Sequence, residues 1–216
     1  MSKINMMQGD CMEYMASLPD NAYELAIVDP PYGIETRGSA QDRFRGGMQL
    51  STVNDQKPTP EYFDELFRVS RNQIIWGYNW LSDMLPFCRE FVFWYKQQPV
   101  ITFADGELAW TSFQRTAKCF NYPFGRANAE NKGWKIHPTQ KPVALYKWLL
   151  KNYAKPGDKI LDTHGGSGSI CIACHDMGFD LDWIELDHDY YKAAVDRFNT
   201  HTAQGSLFEF EGGGIV

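Results

Sequence analysis

The stretch Leu-Ala-Ile-Val-Asp-Pro-Pro-Tyr-Gly, residues 25–33, predicts a buried strand with a rigid exit. Its first four residues have the length and composition of a buried strand. Pro30 and Pro31 end the strand, because proline donates no backbone hydrogen bond and holds the preceding residue extended. Asp29 therefore lies at the carboxyl end of a strand, where ligands bind in open α/β sheets. A fixed carboxylate, the Pro30 carbonyl and the Tyr32 ring can grip a planar amine such as an exposed base. A proline-rich exit with an exposed tyrosine is the plainer alternative.

A second motif has the order strand, glycine-rich turn, helix and strand. Residues 159–162 predict the first strand, residues 163–169 the turn, and Glu185 ends the last strand. This is the plan of a nucleotide-binding βαβ unit, and Glu185 follows Asp162 by 23 residues, close to the spacing of a ribose-binding carboxylate. Asp162 precedes the glycines, where it would repel a pyrophosphate and suit an ammonium group. This position favours S-adenosylmethionine over a nicotinamide dinucleotide.

Length and composition predict one globular domain over residues 1–216, with a catalytic half of about 1–113 and a cofactor half of about 137–200. Of the 216 residues, 44% are hydrophobic, and no apolar run is long enough to span a membrane. Without a signal-peptide core a cytoplasmic protein is expected, and an odd number of cysteines, five, favours a reducing compartment. Cys-Ile-Ala-Cys-His, residues 171–175, matches a haem-attachment pattern, but helix packing explains it better, and no metal site is predicted.

Four motifs, in this order, resemble those of the amino-group DNA methyltransferases. They are Asp-Pro-Pro-Tyr at 29–32, His-Pro-Thr-Gln-Lys-Pro at 137–142, the glycine turn at 162–169 and Glu-Leu-Asp at 185–187. Because the catalytic motif comes first, the chain resembles the circularly permuted beta subgroup, especially short phage-borne members, with restriction–modification as a setting. The resemblance implies a single α/β domain with a seven-stranded, mostly parallel, doubly wound sheet of the S-adenosylmethionine-dependent methyltransferase type. The two motif strands would lie side by side in it.

The resemblance also implies roles for individual residues. Asp29 and the carbonyl of Pro30 would accept hydrogen bonds from the target amine, Pro31 would complete the rigid catalytic exit, and Tyr32 would stack on the flipped base. The residues expected to bind the cofactor are Asp10, Cys11, Asp29, Thr139, Lys141, Asp162, His164, Gly166, Ser167, Gly168, Ser169 and Glu185.

Within that set, Glu185 would bind the ribose hydroxyls and Asp10 the adenine amino group, while Thr139 and Lys141 would close over the cofactor. The chain departs from the family pattern at His164, where an aromatic residue is usual, and at Gly165, where a larger residue is usual. His164 would pack on the cofactor or, equally, be a solvated loop histidine. Gly165 is expected to loosen the turn.

The charge distribution predicts a nucleic-acid face. The chain has a net charge of −6, yet residues 36–57 and 115–141 are both net positive and interleaved with aromatic residues. Residues 114–137 are predicted to be irregular, and the DNA-facing loops are placed at 36–57 and 115–137. Their expected DNA contacts are Arg37, Arg43, Arg45, Arg115, Lys118, Arg126, Lys132 and Lys135. The last helix is expected over about residues 189–198.

The sequence therefore predicts a cytoplasmic enzyme that methylates N6 of adenine in DNA with S-adenosylmethionine, and a homodimer is one candidate oligomeric state. Methylation of N4 of cytosine is the nearest alternative, because both targets are exocyclic amines. A catalytically silent cofactor- or DNA-binding module and a nicotinamide oxidoreductase are more distant alternatives. The sequence leaves open the recognition site and the preference for duplex or single-stranded DNA.

Overall fold

A computed structural model describes residues 2–33, 56–98, 104–130, 136 and 140–211, with side chains up to residue 204. These residues form eight strands and seven helices, which alternate except for one run of three strands and one run of two helices. In chain order they are β1 (Ile4–Gln8), α1 (Cys11–Ala16), β2 (Leu25–Val28), α2 (Pro60–Val69), β3 (Gln73–Trp76), α3 (Tyr78–Leu81), β4 (Phe91–Tyr95), β5 (Gly106–Thr111), β6 (Lys118–Asn121), α4 (Phe124–Glu130), α5 (Val143–Tyr153), β7 (Lys159–Asp162), α6 (Ser169–Met177), β8 (Asp180–Glu185) and α7 (His188–Glu211). Within these ranges no helix is long and apolar enough to cross a membrane.

All eight strands join one sheet in the order β1-β8-β7-β2-β3-β5-β4-β6. Every neighbouring pair is parallel except the two that involve β5, which runs antiparallel to β3 and β4. The motif strands β2 and β7 pair directly, with Leu25 opposite Ile160 and Ala26 opposite Leu161. The prediction that these two strands lie side by side is confirmed.

Helices cover both faces of the sheet, which is why the central strand β2 is apolar throughout. Along β2, Leu25 and Ile27 face the layer that contains α5 and α6. Ala26 and Val28 face the other layer, with α1 and α2. The alternation of side chains along a strand thus buries all four residues, and the strand ends where the prolines begin.

One polar cluster fixes β8 near its amino end. The buried carboxylate of Asp182 accepts hydrogen bonds from the hydroxyl groups of Tyr14, at 2.8 Å, and Tyr23, and from the side-chain amide of Asn5. The ammonium of Lys159 lies 2.7 Å from the same carboxylate. Burial raises the pKa of Asp182, but these hydrogen bonds outweigh it and lower the pKa to about 2. The cluster joins β1, α1, β7 and β8.

Three sequence-based predictions need correction. The sheet has eight strands instead of seven, and residues 114–137 contain β6 and α4 instead of being irregular throughout. Their signals are weak because each element buries one residue, Phe120 in β6 and Ala127 in α4. The last helix extends well beyond residue 198, to Glu211. The helix is tied to α6 by His201, whose Nε2 lies 2.7 Å from a carboxylate oxygen of Asp176.

Candidate active site

The carboxyl ends of the parallel strands place the predicted site residues along one edge of the sheet. Asp29 follows β2, Asp162 ends β7, Glu185 ends β8 and Asp10 follows β1. These four strands are consecutive neighbours, and the Gly9 amide, which donates to the Glu185 carbonyl at 3.0 Å, continues the pairing past the strand ends. The chain therefore brings four carboxylates to this edge of the sheet. We call it the catalytic edge, because Asp29, the predicted catalytic residue, lies there.

Both oxygens of the Asp29 carboxylate have partners. The Tyr32 hydroxyl donates to Oδ1, and the ammonium of Lys141 binds Oδ2. Tyr32 lies over Gly77, where a Cβ would come within 2.1 Å of the ring, so only glycine leaves room for it. Gly77 also has a φ of +81°, which glycine adopts without strain. Pro30 is buried beside Asp29, and the rigidity of this exit stays a prediction.

Lys141 lies in a row of alternating charges. Its side chain is almost fully buried, and its ammonium lies 3.3 Å from Glu107 as well as on Asp29. The other oxygen of Glu107 binds the ammonium of Lys96. Burial lowers the pKa of Lys141, but Asp29 and Glu107 outweigh it, and the net effect is a raised pKa. The lysine was predicted to close over the cofactor, which stays a prediction; the structure pairs it with the Asp29 carboxylate.

The Asp162 carboxylate has no cation of its own among the described contacts. It is 2% exposed and accepts one hydrogen bond, from the backbone amide of His164 at 3.1 Å. Burial, together with the charges of Asp29 and Glu185, raises its pKa to about 8. A positively charged group bound here would replace this unfavourable environment with a favourable one. The site thus fits the ammonium or sulfonium of S-adenosylmethionine better than a phosphate.

The glycine turn after β7 is open on the side of the catalytic edge. Gly166 has a φ of +53°, and a Cβ at this position would meet nothing within 4 Å. The space allows a ligand to approach the backbone closely. Gly168, with a φ of +69°, caps the amino end of α6, and Gly178 caps its carboxyl end. The turn at residues 163–169 therefore borders an open space, which we call the cradle. Any side chain in place of Gly166 would fill part of it.

Gly165 does not loosen this turn, contrary to the sequence-based expectation. Its amide donates to the carbonyl of Ile184 at 2.9 Å, and a Cβ would lie 1.9 Å from Cε2 of Trp183. The buried indole of Trp183 occupies the space that a side chain at residue 165 would take. The large side chain of Trp183, in β8, thus fills the space that a large side chain in the turn would need.

His164 is not a solvated loop histidine. Its ring packs edge-on against Tyr62, with 5.1 Å between the ring centres, and Nδ1 lies 3.0 Å from the Thr163 hydroxyl. Burial lowers its pKa to about 4, so the ring is neutral at neutral pH. Tyr62, from α2, also shares a hydrogen bond of 2.7 Å with Thr163. His164 thus forms an uncharged wall of the cradle, and its packing on a cofactor stays a prediction.

Glu185 and Asp10 both accept backbone amides. Glu185 accepts from Gly166 at 2.7 Å and from Asp187 at 2.8 Å, so the predicted ribose ligand also holds the glycine turn. Asp10 caps α1 by accepting from Met12 at 2.6 Å. Burial and the neighbouring carboxylate of Asp10 raise the pKa of Cys11 to about 12, so its thiol is neutral. Their roles toward a cofactor stay predictions.

Ser167 and Ser169 are buried within the turn. Their hydroxyl oxygens lie 3.2 Å apart, and Arg197 of α7 donates to the Ser167 carbonyl and to the Ser169 hydroxyl, each at 2.9 Å. The two side chains therefore connect the turn to α7. What they leave for a cofactor is the backbone of the turn.

The structure separates the predicted DNA contacts that it describes. Arg126, in α4, follows the carboxyl end of β6 and lies over the Tyr122 ring at 5.7 Å, near the catalytic edge. Lys118 begins β6, about 10 Å away along the strand. Arg115 precedes Lys118 and binds the buried Glu90 at the start of β4. Arg115 and Lys118 thus lie at the opposite edge. The predicted residues outside the described ranges are Arg37, Arg43, Arg45, Lys132, Lys135 and Thr139.

Sequence reasoning missed Glu107, Lys96 and Tyr62. Glu107 had no motif around it, and its place depends on β5 being antiparallel, which brings the start of this strand to the carboxyl ends of its neighbours. Tyr62 was predicted only as part of a helix face. An acidic residue at the start of a predicted strand is the one signal in the sequence that could have pointed to Glu107.

A glycine cradle lined with carboxylates, beside an Asp-Pro-Pro-Tyr exit on the adjacent strand, defines an α/β enzyme of the S-adenosylmethionine-dependent methyltransferase class. The family model described as DNA methylase, for the N6/N4 enzymes, matches residues 71–196. The protein belongs to this family of amino-group DNA methyltransferases. The predicted resemblance and fold class are confirmed.

Three similar proteins illustrate the relationship. "Putative methylase YubD" of Escherichia coli (strain K12) is 27% identical over 205 residues, which cover 88% of each chain. The M1.HpyAVI–SAM complex superposes with a TM-score of 0.61 at 20% identity, over 91% of this chain and 100% of that chain. The cytosine-N4-specific PvuII DNA methyltransferase superposes with a TM-score of 0.58 at 15% identity, over 94% and 91%.

Proposed function

We propose that this protein transfers the methyl group of S-adenosylmethionine to N6 of adenine in DNA, with Asp29 as the residue that binds the target amine. The observation that carries the proposal is the position of Asp29, fixed at the end of β2, directly beside the cradle at the end of β7. The target nitrogen and the methyl group need to meet in line, with water excluded. Two adjacent strand ends provide the two halves of such a site.

The cofactor half follows from the charges. S-adenosylmethionine, when bound, supplies an electrophilic methyl group on a sulfonium. Among the described contacts Asp162 has no bound cation, and it directly precedes the turn that contains the open position Gly166, so it would bind the positively charged methionine end. Glu185 would accept the ribose hydroxyls with the lone pairs that its backbone partners leave free. The complex of M1.HpyAVI with the cofactor supports this assignment through its similar fold.

The amine half requires an exchange at Asp29. The Tyr32 hydroxyl occupies Oδ1, while Lys141 stays on Oδ2. A flipped base would displace the hydroxyl, so that its amino group donates to Oδ1 and to the Pro30 carbonyl while the Tyr32 ring stacks on the base. Two such hydrogen bonds orient the amine. They draw its hydrogens out of the ring plane, away from the face on which the methyl group arrives. Once the nitrogen is methylated it gives up one proton, and Asp29 would be the group that accepts it.

Adenine is proposed as the target because its bicyclic face gains more from stacking on Tyr32 than a pyrimidine does. Stacking of a base on an aromatic side chain contributes about 1–3 kcal/mol and offsets the cost of taking the base out of the duplex. Arg126, beside Tyr122 at the catalytic edge, is the described residue best placed to meet the DNA backbone. A homodimer stays a prediction, which light scattering of the purified protein tests.

The test is nucleoside analysis of DNA from cells that express the protein or its Asp29→Ala variant. N6-methyladenine with the wild type alone is expected. N4-methylcytosine as the sole product would refute the choice of adenine and support the cytosine alternative. No methylated base in either sample, together with intact binding of S-adenosylmethionine, would indicate a catalytically silent module.

A further inference from the structure

We propose that Glu107 and Lys96 are positioning residues for methyl transfer, which act by fixing Lys141 on the Oδ2 atom of Asp29. This inference rests on the role proposed above for Asp29. Glu107 uses one oxygen for each lysine: Oε2 lies 3.3 Å from the Lys141 ammonium, and Oε1 binds Lys96. The four side chains, from Asp29 to Lys96, therefore form a row in which negative and positive charges alternate.

Burial explains why Lys141 needs a second carboxylate. The lysine is 3% exposed, so its charge is stable only with close partners. Asp29 supplies one, but the target amine will compete for that carboxylate. Glu107 holds the ammonium from the other side, and the Trp76 ring lies 5.1 Å from it. With Lys141 fixed, the amine can take Oδ1 while Oδ2 keeps its cation.

Lys96 in turn fixes Glu107. Its ammonium lies 4.7 Å from the centre of the Trp94 ring, and its backbone amide donates to the Asp105 carbonyl at 2.8 Å. Burial raises the pKa of Glu107, but Lys141 and Lys96 outweigh it, and the pKa is lowered overall. Glu107 therefore stays charged, and its orientation is set by both lysines. The row links the β4–β5 hairpin to the catalytic carboxylate.

Topology gives this role to Glu107 and not to its neighbours. As the second residue of β5, the one antiparallel strand among the described residues, it lies where the parallel strands end. Glu90 offers a comparison, because it is a fully buried carboxylate, where the Glu107 side chain is 25% exposed, and it is also bound by a cation, Arg115. Glu90 lies at the opposite edge of the sheet, away from Asp29. If Glu107 acted in folding alone, removing either carboxylate would have the same kind of effect.

The experiment measures total methyl incorporation into DNA, whichever base is modified, for Glu107→Gln and for the control Glu90→Gln between pH 5 and 10. Removing Glu107 lowers the pKa of the buried Lys141, so kcat should fall by about tenfold to a hundredfold and acquire an alkaline limb that the wild type lacks. KM for S-adenosylmethionine should change less than threefold. Glu90→Gln should keep the wild-type pH profile, with any loss confined to its thermal midpoint.

Lys96→Met gives an independent readout that does not depend on Glu107→Gln folding well. It keeps the methylene stem over Trp94 and removes one of the two cations that lower the pKa of Glu107, so the acidic limb of kcat should move to higher pH. Wild-type kcat and pH profiles in both variants would overturn the proposal, as would an equal, pH-independent loss in Glu107→Gln and Glu90→Gln. A cytosine product would overturn the choice of adenine instead and leave this test intact.

Discussion

Replacing Gly165 with alanine tests the packing of the cofactor turn. The new Cβ would lie 1.9 Å from Cε2 and 2.2 Å from Nε1 of Trp183, whose side chain is fully buried and cannot swing away. Overpacking of a core of this kind costs about 1–3 kcal/mol. For a chain of this size each kcal/mol lowers the thermal midpoint by roughly 2–4 °C, so Gly165→Ala should lower it by about 2–12 °C.

Gly166→Ala is the matched control, one residue along the same turn. Its Cβ meets no protein atom within 4 Å, and its cost is the strain of a φ of +53°, about 1–2 kcal/mol. Gly166→Ala should lower the thermal midpoint less than Gly165→Ala does. It should weaken S-adenosylmethionine binding by tenfold or more, because the alanine side chain occupies space in the cradle. Calorimetry and thermal melts of both variants separate the effects. A Gly165→Ala protein as stable as the wild type would refute the packing of Trp183 against the turn.

Three further predictions concern pH, the cofactor and DNA. Since the pKa of Asp182 is about 2 when folded against 3.8 in isolation, the carboxylate stabilises the fold by about 2 kcal/mol above pH 4, and this contribution disappears as the pH falls through about 2. Asp182→Asn should therefore lose about that much stability in urea at pH 7 but little near pH 2; equal losses at both would contradict it. Glu185→Ala should weaken S-adenosylmethionine binding about tenfold or more by calorimetry, while Glu24→Ala, which removes a similar acceptor at the opposite edge, should not. Arg126→Ala should flatten the slope of log DNA affinity against log salt by up to about one unit, and Lys118→Ala should leave it unchanged; the reverse result would place DNA at the other edge.

Strands covered on both faces were predictable because their signal is local. Residues 25–28 and 160–161 are short apolar runs that are followed directly by a chemically informative residue, Asp29 in one case and Asp162 in the other. Parallel strands bring such ends to one edge, so the motifs also indicated which residues meet. The edge strand β6 gave little signal because only Phe120 is buried.

The charged row behind Asp29 could not be predicted for a different reason. Glu107 precedes Lys141 by 34 residues, and nothing local pairs them. Their contact depends on the direction of β5 and on the order in which strands join the sheet. Gly165 illustrates the same difficulty, because the residue that makes it necessary, Trp183, lies on the next strand of the sheet.

The role of Asp29 is tested most directly by transfer of a labelled methyl group to DNA, measured for the wild type, Asp29→Ala and the surface control Asp20→Ala, whose carboxylate pairs with Arg68 at 3.0 Å. S-adenosylmethionine binding is measured by calorimetry on the same preparations. The expected result is loss of transfer by at least a hundredfold in Asp29→Ala alone, with cofactor affinity within a few-fold of the wild type in all three. Near-normal transfer by Asp29→Ala would contradict the assignment of Asp29 as the residue that binds the target amine.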